Sequence, residues 1–91
     1  MKLSDPETKQ ALVSRLKRIE GQVRGVQGMV ESERDCREVL QQLAAIRSAV
    51  QAASLAFIEE YATFCLLNQP ADDRAQREML LKDLIQIISK A

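Results

Sequence analysis

Ninety-one residues make a single small domain, 1–91, with a modest core of its own, so self-association is a natural way to bury more surface. Hydrophobic residues reach 46% but aromatics only 3% (Phe57, Tyr61, Phe64), which leaves Leu, Ile, Val and Ala to pack helix on helix rather than sheet on sheet. No apolar run approaches the roughly 18–20 residues of a membrane span and no secretory leader pattern opens the chain, so a cytoplasmic location is expected and two cysteines read as metal or redox chemistry rather than a structural staple.

The formal charge is zero, yet it is segregated. Residues 1–28 carry six basic side chains (Lys2, Lys9, Arg15, Lys17, Arg18, Arg24) against three acidic ones (Asp5, Glu7, Glu20). Residues 29–68 reverse the balance, with three basic and six acidic. Such segregation becomes a basic face on a folded assembly.

The first helix starts at Ser4-Asp5-Pro6-Glu7, which reads as a capping box with Pro in the first turn. Its apolar stripe is Leu12, Leu16, Ile19, Val23, Val26 and Val30, in alternating steps of four and three. Glu31-Ser32-Glu33-Arg34-Asp35 breaks that stripe and offers Ser32 or Asp35 as the next N-cap. On a helical projection Gly21, Gly25 and Gly28, with Ser14, form a second stripe nearly opposite the apolar one. Arg15 and Arg18 flank it on one edge, Lys17 and Arg24 on the other. Glycine weakens a helix, so three on one face point to a close approach by another subunit or a DNA backbone; the plainer reading is a solvated basic face.

The second helix runs from about Asp35 to Leu67 without Gly or Pro. Its stripe is Cys36, Val39, Leu43, Ile46, Val50, Ala53, Phe57 and Tyr61 or Phe64, widened by Leu40, Ala44, Ala49, Leu55, Ile58 and Ala62. Asn68-Gln69-Pro70 ends it, and Asp72 or Asp73 caps a third helix that reaches about Ser89. The fold class is all-α, a three-helix protomer with a long central helix.

Helix geometry limits what the cysteines do. Cys36 and Cys65 are 29 residues apart on one helix. At ~1.5 Å per residue that is roughly 43 Å, whereas a disulfide needs Cα atoms within about 7 Å. Two copies packed antiparallel, crossing near Val50 and Gln51, place Cys36 of one chain against Cys65 of the other and create two equivalent sites. Small residues around that crossing (Ser48, Ala49, Ala52, Ala53, Ser54) allow close approach. Inert, buried thiols on an antiparallel helix pair are the plainer reading of the same pattern.

The run Arg15-Leu16-Lys17-Arg18-Ile19-Glu20-Gly21-Gln22-Val23-Arg24-Gly25, then Asp35-Cys36, then Gln42-Leu43-Ala44-Ala45-Ile46 and Cys65, resembles the CsoR/RcnR family of bacterial repressors. The resemblance covers nearly the whole chain and is weakest after Pro70. It implies an antiparallel dimer, a dimer-of-dimers tetramer, and operator DNA bound without a helix-turn-helix and released when an effector occupies the intersubunit site.

Site residues separate the family's effectors. Its copper sensors carry a histidine at the place of Tyr61, four residues before the second cysteine; this chain has no histidine at all. Nickel and cobalt sensing rests on several histidines, and formaldehyde sensing generally lacks the second cysteine. What remains resembles the CstR-like branch, which responds to persulfides and related reactive sulfur and needs no cofactor. Cys36, in the first turn of its helix where the dipole favours an anion, is the expected nucleophile, and Cys65 the resolving thiol. Arg34 and Arg37 would assist Cys36, with Asp35 and Glu38 opposing.

The alternative is a Cu(I) sensor with Cys36 and Cys65 as its soft ligands and Tyr61 in the outer shell or simply packed at the dimer seam. Arg15, Lys17, Arg18 and Arg24 are the expected phosphate contacts, with Lys9 and Arg47 further candidates, and salt should weaken them steeply. A helical scaffold with no effector is a third reading. An enzyme is not expected, since histidine, a clustered acid–base pair and a Gly-rich phosphate loop are all absent.

Overall fold

A computed structural model of the chain describes residues 2–67 and 74–90, the side chains of Cys65 and Leu66 excepted. Three helices account for nearly all of it: α1 (Pro6–Glu31), α2 (Cys36–Leu67) and α3 (Arg74–Lys90). The all-α reading holds, with no strand among the described residues. The expected break at Asn68-Gln69-Pro70 and the expected cap at Asp72 or Asp73 lie outside them.

α1 begins one residue later than the capping box implied. Pro6 takes the first helical position, where its missing N–H is no loss. That makes Asp5, not Ser4, the N-cap. Its carboxylate accepts the Thr8 N–H at 3.0 Å and the Thr8 hydroxyl at 2.6 Å. The far end of α1 closes through Glu33, whose φ of 57° lies in the left-handed region. The Arg34 N–H donates to the Met29 carbonyl (2.9 Å) and the Glu33 N–H to the Val30 carbonyl (3.1 Å), the paired bonds of a Schellman close. Asp35 then caps α2, its Oδ1 accepting the Arg37 N–H at 3.0 Å. Of the two N-cap candidates at this corner, Asp35 is the one used.

The chain divides into two compact units. Leu3–Ala53 holds α1 and the first half of α2; Ser54 onward, with Lys2, holds the second half of α2 and α3. In the first unit the buried side chains are Leu12, Ile19, Val26 and Ala53, at 5%, 8%, 9% and 4% exposure. Leu12, Ile19 and Val26 lie at steps of seven, which keeps them along one narrow edge of α1. On α2, Val39 and Ile46 precede the buried Ala53 at the same seven-residue step and are half-buried.

Only one edge of each expected stripe is therefore covered. Leu16, Val23 and Val30 of α1 stay 41–60% exposed. On α2 the series Cys36, Leu43, Val50, Phe57 and Phe64, again at steps of seven, is exposed throughout. A single helical neighbour covers one edge, and these stripes are wider than that.

Candidate functional site

Cys36 is the first residue of α2 and is exposed as a free thiol. The hydrogen bonds around it belong to its neighbours. The Arg34 guanidinium donates to Glu38 Oε2 at 2.9 Å, and Asp35 holds the Arg37 N–H. Arg34 is thus engaged by Glu38 rather than directed at the thiol. The Arg34–Glu38 pair is about half exposed on each side, so it steadies the first turn only weakly.

Cys65 lies in the last turn of the same helix; its side chain is outside the described residues. Both cysteines therefore belong to α2, which runs from Cys36 to Leu67. Among the described residues no group of three or more His, Cys, Asp or Glu side chains is placed to hold a metal ion.

Tyr61 sits one turn before Cys65 and is half-buried. Its hydroxyl donates to Asp83 Oδ2 on α3 at 3.3 Å. Asp83 was not among the residues the sequence singled out. The two are 22 residues apart, on different helices, and no spacing rule links them.

Arg15, Lys17, Arg18 and Arg24 are all exposed on α1, as are Lys9 on the same helix and Arg47 on α2. Arg24 reaches back to Glu20 at 3.0 Å, with side chains 76% and 62% exposed, a pair that water screens heavily. The glycines between them are exposed too. A Cβ built on Gly21, Gly25 or Gly28 meets no atom within 4 Å, so nothing inside this chain requires glycine there. Cys36 and all six basic residues belong to the Leu3–Ala53 unit, whereas Tyr61 and Cys65 belong to the other.

The described residues thus present three helices, a solvent-facing thiol at the head of α2, and a basic, glycine-lined face on α1. The sequence model of the family described as metal-sensitive transcriptional repressor matches residues 8–90, and the chain belongs to that family. It is similar to the copper-sensing transcriptional repressor CsoR of Bacillus subtilis (strain 168), with 37% identity over 82 residues, 90% of this chain and 79% of that one.

Two solved structures share the fold. One is the copper-sensing repressor CsoR with Cu(I) from Geobacillus thermodenitrificans NG80-2, with TM-score 0.82 and 37% identity, covering 99% of this chain and 92% of that one. The other is the nickel-responsive transcriptional regulator InrS, with TM-score 0.77 and 34% identity, covering 98% of each chain. The protein is thus a transcriptional repressor of the CsoR type and not an enzyme. No helix among the described residues is long and apolar enough to cross a membrane.

Proposed function

We propose that this cytoplasmic repressor acts as one functional domain over residues 1–91, binds operator DNA as a dimer of antiparallel dimers, and releases it when Cys36 of one subunit and Cys65 of its neighbour react with persulfide or related reactive sulfur. The observation that carries this reading is the donor set. The chain has no histidine, and the residue one turn before Cys65 is Tyr61, whose phenol is already donating to Asp83. Two thiols remain.

The chemistry balances with the effector as oxidant. The Cys36 thiolate attacks the outer sulfur of an organic persulfide, giving Cys36 persulfide and expelling the organic thiolate. The partner's thiolate at position 65 then attacks the inner sulfur, forming a Cys36–Cys65 disulfide across the interface and releasing hydrosulfide. The exposed series Cys36, Leu43, Val50, Phe57 and Phe64 supplies an apolar seam for the antiparallel pairing. Arg15, Lys17, Arg18 and Arg24 contact phosphates, with Lys9 and Arg47 in support.

A second reading is favoured by the relatives: the repressors from Bacillus and Geobacillus are copper-sensing. Two thiolates are soft enough to hold Cu(I) linearly without a third ligand, and Tyr61, a poor Cu(I) ligand, stays in the outer shell. Overall similarity alone does not choose between effectors. The copper and nickel regulators match this chain at 37% and 34% identity on one scaffold, so the ligand set carries the distinction.

Intact mass after treatment with an organic persulfide tests the sulfur chemistry. The expected result is a crosslinked dimer mapping to Cys36–Cys65, an unlinked persulfide on Cys36 in Cys65→Ser, and no crosslink in Cys36→Ser. A treated wild type that carries no added sulfur and no crosslink, while binding Cu(I) stoichiometrically, overturns it in favour of copper.

A further inference from the structure

The corner between α1 and α2 is closed on itself from both sides. The N–H groups of Ser32, Glu33 and Arg34 donate to the carbonyls of Gly28, Val30 and Met29 at 3.0, 3.1 and 2.9 Å. The Ser32 hydroxyl adds a bond to the Gly28 carbonyl at 2.8 Å. On the α2 side, Asp35 accepts the Arg37 N–H on its carboxylate at 3.0 Å and the Val39 N–H on its carbonyl at 3.2 Å. Arg34 and Glu38 clasp across the same turn at 2.9 Å. Glu33 is held in the left-handed region, where a non-glycine residue persists only when its surroundings fix it. Cys36 follows immediately, in the same compact unit as Arg15, Lys17, Arg18 and Arg24.

We propose that this corner, Ser32–Asp35, is the coupling joint of the repressor: a closed link that passes a displacement of Cys36 into a tilt of α1 and its basic face. The inference rests on the reading of Cys36 as an effector thiol. A slack four-residue connection would absorb a shift of about 1–2 Å at the head of α2 by small backbone rotations. A connection with its donors and acceptors already committed passes the shift on. α1 then acts as a lever. Arg24 lies about 10 Å from the end of α1 and Arg15 about 24 Å, at ~1.5 Å per residue, so the Arg15–Arg18 end moves furthest. Phosphate contacts set by the spacing of these side chains are lost when the lever turns, which is the difference in operator affinity that coupling requires.

The test loosens the corner without touching Cys36 or the basic residues. Two glycines inserted between Glu33 and Arg34 open it fully; the double variant Ser32→Ala/Asp35→Ala loosens it by removing the Ser32 hydroxyl and Asp35 carboxylate bonds while keeping chain length. Operator affinity is measured for reduced and for persulfide-treated full-length protein, with the extent of Cys36 modification read by intact mass. The expected result is loss of affinity of about tenfold or more on treating wild type, against less than about threefold for the loosened proteins modified to the same extent. Reduced variants should bind within about threefold of reduced wild type.

Loosened variants that are released as fully as wild type overturn the proposal. If the insertion variant fails to fold, the double variant decides. Loss of reduced-state binding in a folded double variant also counts against it, since the corner would then serve DNA binding itself. A wild type that becomes modified yet keeps its operator shows instead that the effector reading has failed, and the coupling falls with it.

Discussion

Asp5 shows how much a single side chain does at a helix end. Bonds from the Thr8 hydroxyl and then the Thr8 N–H hold its carboxyl below the ordinary 3.8. A carboxyl lowered in the folded state contributes fully above its ordinary pKa and loses that contribution as pH falls through the folded value. Acid titration of helicity should therefore separate wild type from Asp5→Ala above pH 3.8 and bring them together below it. Curves that stay parallel down to the acid limit would contradict the cap. Glu33 gives the opposite case, a residue working against its conformation. Glu33→Gly should gain about 0.5–1 kcal/mol in urea unfolding, because relief of left-handed strain exceeds the added flexibility of the unfolded chain. No gain would mean the Glu33 side chain holds the corner in some other way.

At the scale of elements, the seven-residue steps separate a buried edge from an exposed one. Ile19, 8% exposed, is core; Leu43, 46% exposed, belongs to the exposed series proposed as the dimer seam. Ile19→Ala should cost about 2–4 kcal/mol of unfolding free energy. Leu43→Glu should leave helicity intact and shift the mass measured by light scattering toward the monomer. An unchanged mass would show that the seam lies elsewhere. The glycine face behaves differently again. With open space around every built Cβ, Gly21→Ala and Gly25→Ala should each stabilise α1 by up to about 1 kcal/mol. If that face meets DNA or a subunit, the same changes weaken operator binding; variants that are stabilised and bind normally mark it as a solvated surface.

The helices themselves were legible in the sequence, because the apolar period and the Glu31–Asp35 break agree on where they lie. Which edge of each stripe the chain covers was not. Leu12 and Leu16 are equally apolar, and only the hairpin distinguishes them. The start of α1 was misplaced by one residue because Ser4–Glu7 matches a capping box while Pro6 dictates Asp5. The thiols, Tyr61 and the basic residues stand out by type and spacing. The Tyr61–Asp83 bond does not, since it joins side chains on separate helices.

For the whole molecule, the effector is the central question. Cys36 opens α2 and Cys65 lies in its last turn, and the proposed chemistry joins them across two copies of the chain. Family membership establishes a repressor, and the copper-sensing relatives stand on one side of the effector question with the histidine-free thiol pair on the other. Fluorescence anisotropy of the protein on operator DNA at fixed salt decides between them most directly, with reduced, persulfide-treated and Cu(I)-loaded samples compared and each sample's mass recorded. A persulfide-responsive repressor is released by persulfide together with formation of a Cys36–Cys65 crosslink, and that is the expected result. Release by stoichiometric Cu(I), with the persulfide-treated protein still bound, would contradict it and make the protein a two-thiolate copper sensor.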